Sequence, residues 1–133
     1  MTDFVGAKAA LIWQGHILTY LRDDKPGLPW PGMWDLPGGG REGDESAEQC
    51  LFREVFEEFG LTLTPSHLTG RGQFPALHDP TQRAWFFAGT LTTAETGVGS
   101  PNHAYPRRNT MRFTPFRPLL LALSLALGST AMT

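Results

Sequence analysis

The sequence predicts an α/β domain in which a mixed β-sheet carries packed helices. Three observations lead there. Two apolar stretches flank Gln14-Gly15. A capped, amphipathic helical pattern occupies residues 46–60. Short β-prone pieces follow it, so the order β-β-loop-α-β-β suggests a mixed sheet with helices packed on it.

Residues 7–21, AKAALIWQGHILTYL, read as a β-hairpin, because the glycine tolerates the positive φ that a tight turn requires. Residues 23–40, DDKPGLPWPGMWDLPGGG, hold four prolines and five glycines, and are expected to form a long ordered loop without regular elements. Loops of that length inside a compact domain tend to be functional. Ser46 and Gln49 have capping-box spacing, which starts a helix at about residue 47, and Gly60 supplies a left-handed end after residue 59. Further β-prone pieces lie at residues 61–64, around 69–74 and at 83–92.

At 133 residues the chain reads as a single domain, 1–133, long enough to bury about two thirds of its unfolded surface. Hydrophobic content is an ordinary 41%. The lone cysteine, Cys50, excludes an intramolecular disulfide and fits a reducing compartment. The start, MTDFVGAKAA, lacks the pattern of a signal peptide, so a cytoplasmic location is expected. No apolar run reaches the roughly 18 residues of a membrane span.

Charge is unevenly spread. Residues 1–95 hold all 13 acids against seven bases, a net −6, whereas 96–133 hold four arginines and no acid. An acidic body argues against a basic-patch binder of nucleic-acid polymers and suits a protein that gathers cations. Residues 97–133 form an atypical C-terminal segment. Glycine, proline and arginine dominate to about 118, and LLLALSLAL at 119–127 could form a short buried helix. From Met111 the composition is that of a secretory signal at the wrong end of a chain.

The chemistry concentrates in residues 53–61, REVFEEFGL. Glu54, Glu57 and Glu58 fall at i, i+3 and i+4, on one helix face, with Arg53 four residues before Glu57. Ala47, Leu51 and Val55 make the packing stripe. Like charges so spaced repel, and only Arg53 offsets them. The cluster is either a solvated acidic face or a set of oxygen ligands for a hard cation such as Mg2+ or Mn2+. Gly38-Gly39-Gly40 allows close approach of backbone to a ligand, and leads toward a helix start where free N–H groups favour phosphate.

Gly39, Glu45, Arg53-Glu54, Val55, Glu57-Glu58, Gly60 and Leu61 fill every fixed position of Gly-x5-Glu-x7-Arg-Glu-U-x-Glu-Glu-x-Gly-U, with U aliphatic. This resembles the signature of the Nudix hydrolases, the MutT-like superfamily. Trp34-Asp35-Leu36-Pro37-Gly38 looks like that family's lead-in, and the resemblance extends over roughly 4–92. It implies an α/β/α sandwich and metal-dependent hydrolysis of a nucleoside diphosphate linked to another group. Nucleoside triphosphates or their oxidised forms head the expected substrates, giving monophosphate and pyrophosphate; ADP-ribose and dinucleoside polyphosphates are the alternative, with Pro75 a faint hint of the former. By position, the resemblance makes Glu54, Glu57 and Glu58 metal ligands, with the Gly38 carbonyl joining them. Arg53 orients the carboxylates and Glu45 supports the loop. Glu57 and Glu58 are both candidates for the base. Arg22 is placed as a phosphate contact, with Gly39, Gly40 and Trp34 beside the substrate. Many members carry a further glutamate late in the chain, whereas here only Asp79 and Glu95 follow Glu58. A binding module without turnover is the rival from another class, and an altered, unfinished terminus is a third reading. A homodimer is left open.

Other residues have blander readings beside functional ones. Trp30 and Trp34 could stack on a base or pin the loop. Phe74, His78 and Trp85 could line a base pocket or belong to the core. His16, His67, His78 and His103 lack metal-ligand spacing, and Cys50 reads as a small buried hydrophobe. Lys25 and Arg41 could hold phosphates or be plain surface charges.

Overall fold

The computed structural model describes residues 3–28 and 30–96, together with the backbone of 111–115. Strands β1 (Gly6–Trp13) and β2 (His16–Leu21) form the expected hairpin, and both turn residues take positive φ, Gln14 at 44° and Gly15 at 74°. That double left-handed turn matches the twist of the strands it joins.

Two short strands follow, β3 (Trp34–Asp35) against β2 and β4 (Gly38–Gly40) against β1. They correct the expectation of an irregular loop across 23–40. A ladder needs backbone donors and acceptors, not side chains, and here the absence of side chains is what lets the strands meet. A Cβ on Gly38 (φ 131°) would overlap the carbonyl oxygen of Ala7, and one on Gly6 would stand 2.5 Å from that of Gly39.

Helix α1 (Ala47–Phe59) begins and ends where its caps dictate. Ser46 Oγ accepts from Gln49 N–H at 3.1 Å, and the Gln49 side chain accepts from Ser46 N–H at 2.9 Å. Gly60, at φ 68°, donates to the Phe56 carbonyl at 2.8 Å. The helix buries Cys50, Leu51, Val55 and Phe59 against Ala7, Ala9 and Leu11 of β1 and Phe87 beyond it. Each large apolar side chain so buried stabilises by roughly 1.5–3 kcal/mol.

Residues 61–64 do not form the expected strand. Leu61 and Leu63 are buried, but Thr64 leads into a 3-10 turn at Pro65–His67, where proline offers no N–H to extend a ladder. Strand β5 (Leu68–Pro75) pairs antiparallel with β6 (Arg83–Thr90), which runs parallel to β1 in the register Ala7↔Trp85 to Ile12↔Thr90. A single turn of helix, α2 (Thr93–Thr96), follows. Strand β7 (Met111–Pro115), not expected from the composition of the tail, pairs with β2.

The sheet order is β3-β2-β1-β6-β5, with β4 beside β1 and β7 beside β2, so the mixed α/β architecture expected from the sequence is present. Among the described residues no helix is long and apolar enough to cross a membrane. The expected helix at 119–127 lies outside the described residues.

Candidate active site

The site forms where β1 parts company with β2. The two strands pair near the turn at Trp13 and His16, while at its other end β1 pairs with β4 instead. Helix α1 crosses over β4, and a cleft of about 330 Å³ opens between them. Gly38, Gly39 and Gly40 lie along it, Glu54 and Glu58 reach it from α1, and Lys8, Tyr20 and Arg22 enter from β1 and the end of β2. Asp23 and Leu28 complete the lining.

Glu58 is the strongly perturbed carboxylate there. Burial pushes its carboxyl up to about 7; the charge of Lys8 opposes that rise, the charge of Glu54 adds to it, and an N–H from Gly38 opposes it. Its Oε2 is buried without a hydrogen-bond partner. An orphaned carboxylate oxygen is costly unless something else satisfies it. Glu54 packs so tightly over β4 that a Cβ on Gly39 would stand 2.5 Å from its carboxyl carbon.

Arg53 binds helix to loop. Its Nε donates to Glu45 Oε1 at 2.5 Å, and its Nη2 donates to Glu45 Oε2 at 3.1 Å and to the Gly40 carbonyl at 2.8 Å. Its Nη1 donates to Glu54 at 2.9 Å and to Glu57 at 3.3 Å. Glu45 also accepts from Glu42 N–H at 3.0 Å. The Arg53 guanidinium, with that N–H, holds the Glu45 carboxyl down at about 2.

The structure therefore sorts the sequence candidates. Glu54, Glu58, Gly38, Gly39, Gly40 and Arg22 share the cleft. Arg53 and Glu45 stand behind it as a brace. Glu57, with 55% of its side chain exposed, pairs with Arg53 and does not line the cleft. Trp34 is 41% exposed and also lies outside the lining. Among the described residues no three His, Cys, Asp or Glu side chains stand together as a complete metal cage. Two carboxylates still suit a hard divalent ion, since Mg2+ commonly takes one or two and keeps water and phosphate oxygens for the rest.

Of the residues with blander readings, Trp85 stacks on Phe87 beside the core, and Cys50 is fully buried, its thiol pushed up to about 11 chiefly by burial. Glu95 pairs with His67 at 2.6 Å, and Asp79 accepts from Thr81. Neither acid is in the cleft lining.

Three residues escaped the sequence reading. Lys8 Nζ donates to Asp35 Oδ2 at 2.7 Å, Arg22 Nη1 to the same oxygen at 2.9 Å, and Tyr20 OH at 3.3 Å. Lys8 had one available signal: it is the sole charge in the strand GAKAALIW. Asp35 was visible only as part of a lead-in, and Tyr20 only as a strand aromatic.

Comparison with known proteins gives the family. The family model described as NUDIX domain matches residues 7–113. An RNA pyrophosphohydrolase of Gluconacetobacter diazotrophicus is 44% identical over 50 residues, covering 35% of this chain and 30% of the relative. A putative 8-oxo-dGTP diphosphatase of Bacillus subtilis is 37% identical over 77 residues, covering 58% and 46%. The chain thus spans about a third to a half of the length of these curated relatives. The crystal structure of a mutT/nudix family protein from Listeria innocua superposes with a TM-score of 0.59 at 22% identity, covering 96% of each chain. With its signature box folded around a two-carboxylate cleft and four fifths of its length matched by the family model, this chain belongs to the Nudix family.

Proposed function

We propose that the protein hydrolyses a phosphoric anhydride in a nucleoside diphosphate linked to another group, with nucleoside triphosphates or their oxidised forms as substrates and a monophosphate and pyrophosphate as products. The observation that carries this reading is one cleft lined by both carboxylates and cations. The carboxylates of Glu54 and Glu58, one with a buried unpaired oxygen, share the cleft with the cations of Lys8 and Arg22. A diphosphate needs both: cations for its outer oxygens, and oxygen ligands for a counter-ion that shields the phosphorus.

Nudix hydrolases generally use divalent metals. Here Glu54, Glu58 and the Gly38 carbonyl would hold the ion, with Mg2+ or Mn2+ the natural choices for oxygen donors. Such an ion neutralises phosphate charge and lowers the pKa of water. The chain's own residues do the rest. Lys8 and Arg22 receive phosphate oxygens. The glycine strand admits the diphosphate close to backbone. Arg53 and Glu45 keep α1 and β4 in register, so that Glu54 stays over Gly39. Glu57 and Glu58 are the two carboxylates from which the proton acceptor is drawn.

The similarity to a putative 8-oxo-dGTP diphosphatase favours a nucleoside triphosphate over ADP-ribose. Pro75 closes β5 opposite Arg83, outside the cleft lining. The lone Cys50, buried as a free thiol, accords with a cytoplasmic enzyme.

The test is pyrophosphate or phosphate release with Mg2+ from a panel: nucleoside triphosphates, 8-oxo-dGTP, 5′-triphosphorylated RNA, ADP-ribose and diadenosine polyphosphates. Turnover that vanishes in Glu58→Gln is the expected result. A folded chain that turns over none of them, yet binds nucleotide, would be a binding module instead.

A further inference from the structure

Asp35 stands at a junction that the proposed chemistry leaves unexplained. Its Oδ2 accepts from Lys8, Arg22 and Tyr20, and its Oδ1 accepts from the Leu36 N–H at 2.7 Å. Both oxygens are thus committed. Lys8 is tied further, to the Leu36 carbonyl at 3.2 Å. A carboxylate placed among the cations that should meet phosphate looks counterproductive, since it spends part of their charge. Lys8, Arg22 and Asp35 together still carry one net positive charge.

The cleft itself supplies the reason. Lys8 shares that cleft with Glu58, whose Oε2 is buried and unpaired. A lysine ammonium sits on a flexible four-carbon stem and moves to whichever carboxylate is nearest. Without Asp35, Glu58 is the unpaired acceptor that remains. A Lys8–Glu58 pair would fill the oxygen that a cation needs and withdraw the ammonium from the phosphates in one movement. The ring of Tyr20, 5.6 Å beneath Lys8 Nζ, also supports the position that Asp35 imposes.

We propose that Asp35 is a positioning residue: by anchoring Lys8 beside Arg22 it keeps the ammonium off Glu58, and so leaves Glu58 available to a divalent cation. This rests on the reading of Glu54 and Glu58 as cation ligands given above, but its test does not need turnover.

The probe is Mn2+ alone, titrated into the full chain and followed by the electron paramagnetic resonance of the free ion, with circular dichroism to verify folding. Asp35→Asn should weaken Mn2+ binding by about tenfold, the lower end of what outer partners of metal ligands contribute. Lys8→Met in the Asp35→Asn background should restore it, because no ammonium is left to take Glu58. A purely structural role for Asp35 would give no such rescue. Lys8→Met alone should hold Mn2+ affinity within about twofold of the parent, and it reads the idea even if Asp35→Asn does not fold. The proposal is overturned if Asp35→Asn binds Mn2+ like the parent, if the double variant stays as weak as Asp35→Asn, if Lys8→Met alone loses Mn2+, or if the parent binds no Mn2+. Failure of the hydrolase reading looks different: Mn2+ binds and responds as described, while no member of the substrate panel is cleaved.

Discussion

Arg53 and Glu45 meet as a two-pronged ion pair, Nε to Oε1 at 2.5 Å and Nη2 to Oε2 at 3.1 Å, and this pair ties the middle of α1 to the loop that precedes it. The remaining Arg53 donors hold Glu54 and the Gly40 carbonyl. One guanidinium therefore sets the distance between the carboxylate wall and the glycine strand. Arg53→Lys cannot reproduce a planar fork that serves four acceptor residues. It should lower kcat/KM by about 10–100-fold, as losses of partners behind metal ligands do, while helix content in circular dichroism stays unchanged. Glu45→Gln should act in the same direction, with a smaller loss. Wild-type kcat/KM in Arg53→Lys would show that the brace is dispensable.

Gly38 and Gly39 are adjacent, yet alanine should affect them differently. A Cβ at Gly38 would strike the Ala7 backbone from a φ of 131°, and neither can yield without breaking the β4–β1 ladder. Gly38→Ala should cost on the order of 1–3 kcal/mol or more, seen as a lower denaturation midpoint. At Gly39 the nearest atoms a Cβ would meet are the carboxyl end of the Glu54 side chain. That side chain can swing aside, so Gly39→Ala should leave the midpoint within about 1 kcal/mol while Mn2+ affinity and turnover fall together. Equal stability losses in both variants would refute this division.

How far these features were legible in the sequence depends on whether their cause is local. The hairpin at Gln14-Gly15 and α1 between Ser46 and Gly60 follow from turn and cap chemistry within a few residues, and both were readable. Glu54 and Glu58 were readable because helical spacing places them on one face. Strands β3 and β4 were not, because prolines and glycines conceal two ladders whose partners are distant in sequence, β2 for β3 and β1, about 30 residues away, for β4. Lys8 and Asp35 are 27 residues apart and meet only when β3 pairs with β2. Glu57 could not be separated from Glu58 by spacing; packing separates them, one turned to Arg53 and exposed, the other half-buried with its Oε2 sealed from solvent.

The capping box gives a sharper test of local causes. Ser46→Ala removes the acceptor for Gln49 N–H and should cost about 1 kcal/mol of stability. Because the first turn of α1 follows directly on Glu45, activity should fall as well, and Ser46→Asp should restore both. Loss of activity in Ser46→Asp despite full stability would mean that the serine does more than cap.

Glu58 should make the metal-free protein less stable as pH rises. Its carboxyl lies at about 7 in the folded chain, against an ordinary value of 4.5, because burial disfavours the charged form. A group raised on folding contributes its stability in full below the unfolded value, and that contribution fades as pH climbs through the folded value. Between pH 4.5 and 7 the folded chain therefore increasingly holds a proton that the unfolded chain has released, and above 7 the buried charge is carried uncompensated. Glu58→Gln removes the charge and should raise the stability of the metal-free chain at pH 8 by about 2 kcal/mol, allowing for partial exposure to the cleft. The gain should shrink to nearly nothing below pH 4.5, where the parent is protonated too. Saturating Mg2+ should reverse the order at pH 8, since the parent gains binding energy that the glutamine variant loses. Denaturation of both proteins at pH 4.5 and 8, with Mg2+ and with chelator, measures all four terms. A difference between them that is the same at both pH values would remove Glu58 as its source.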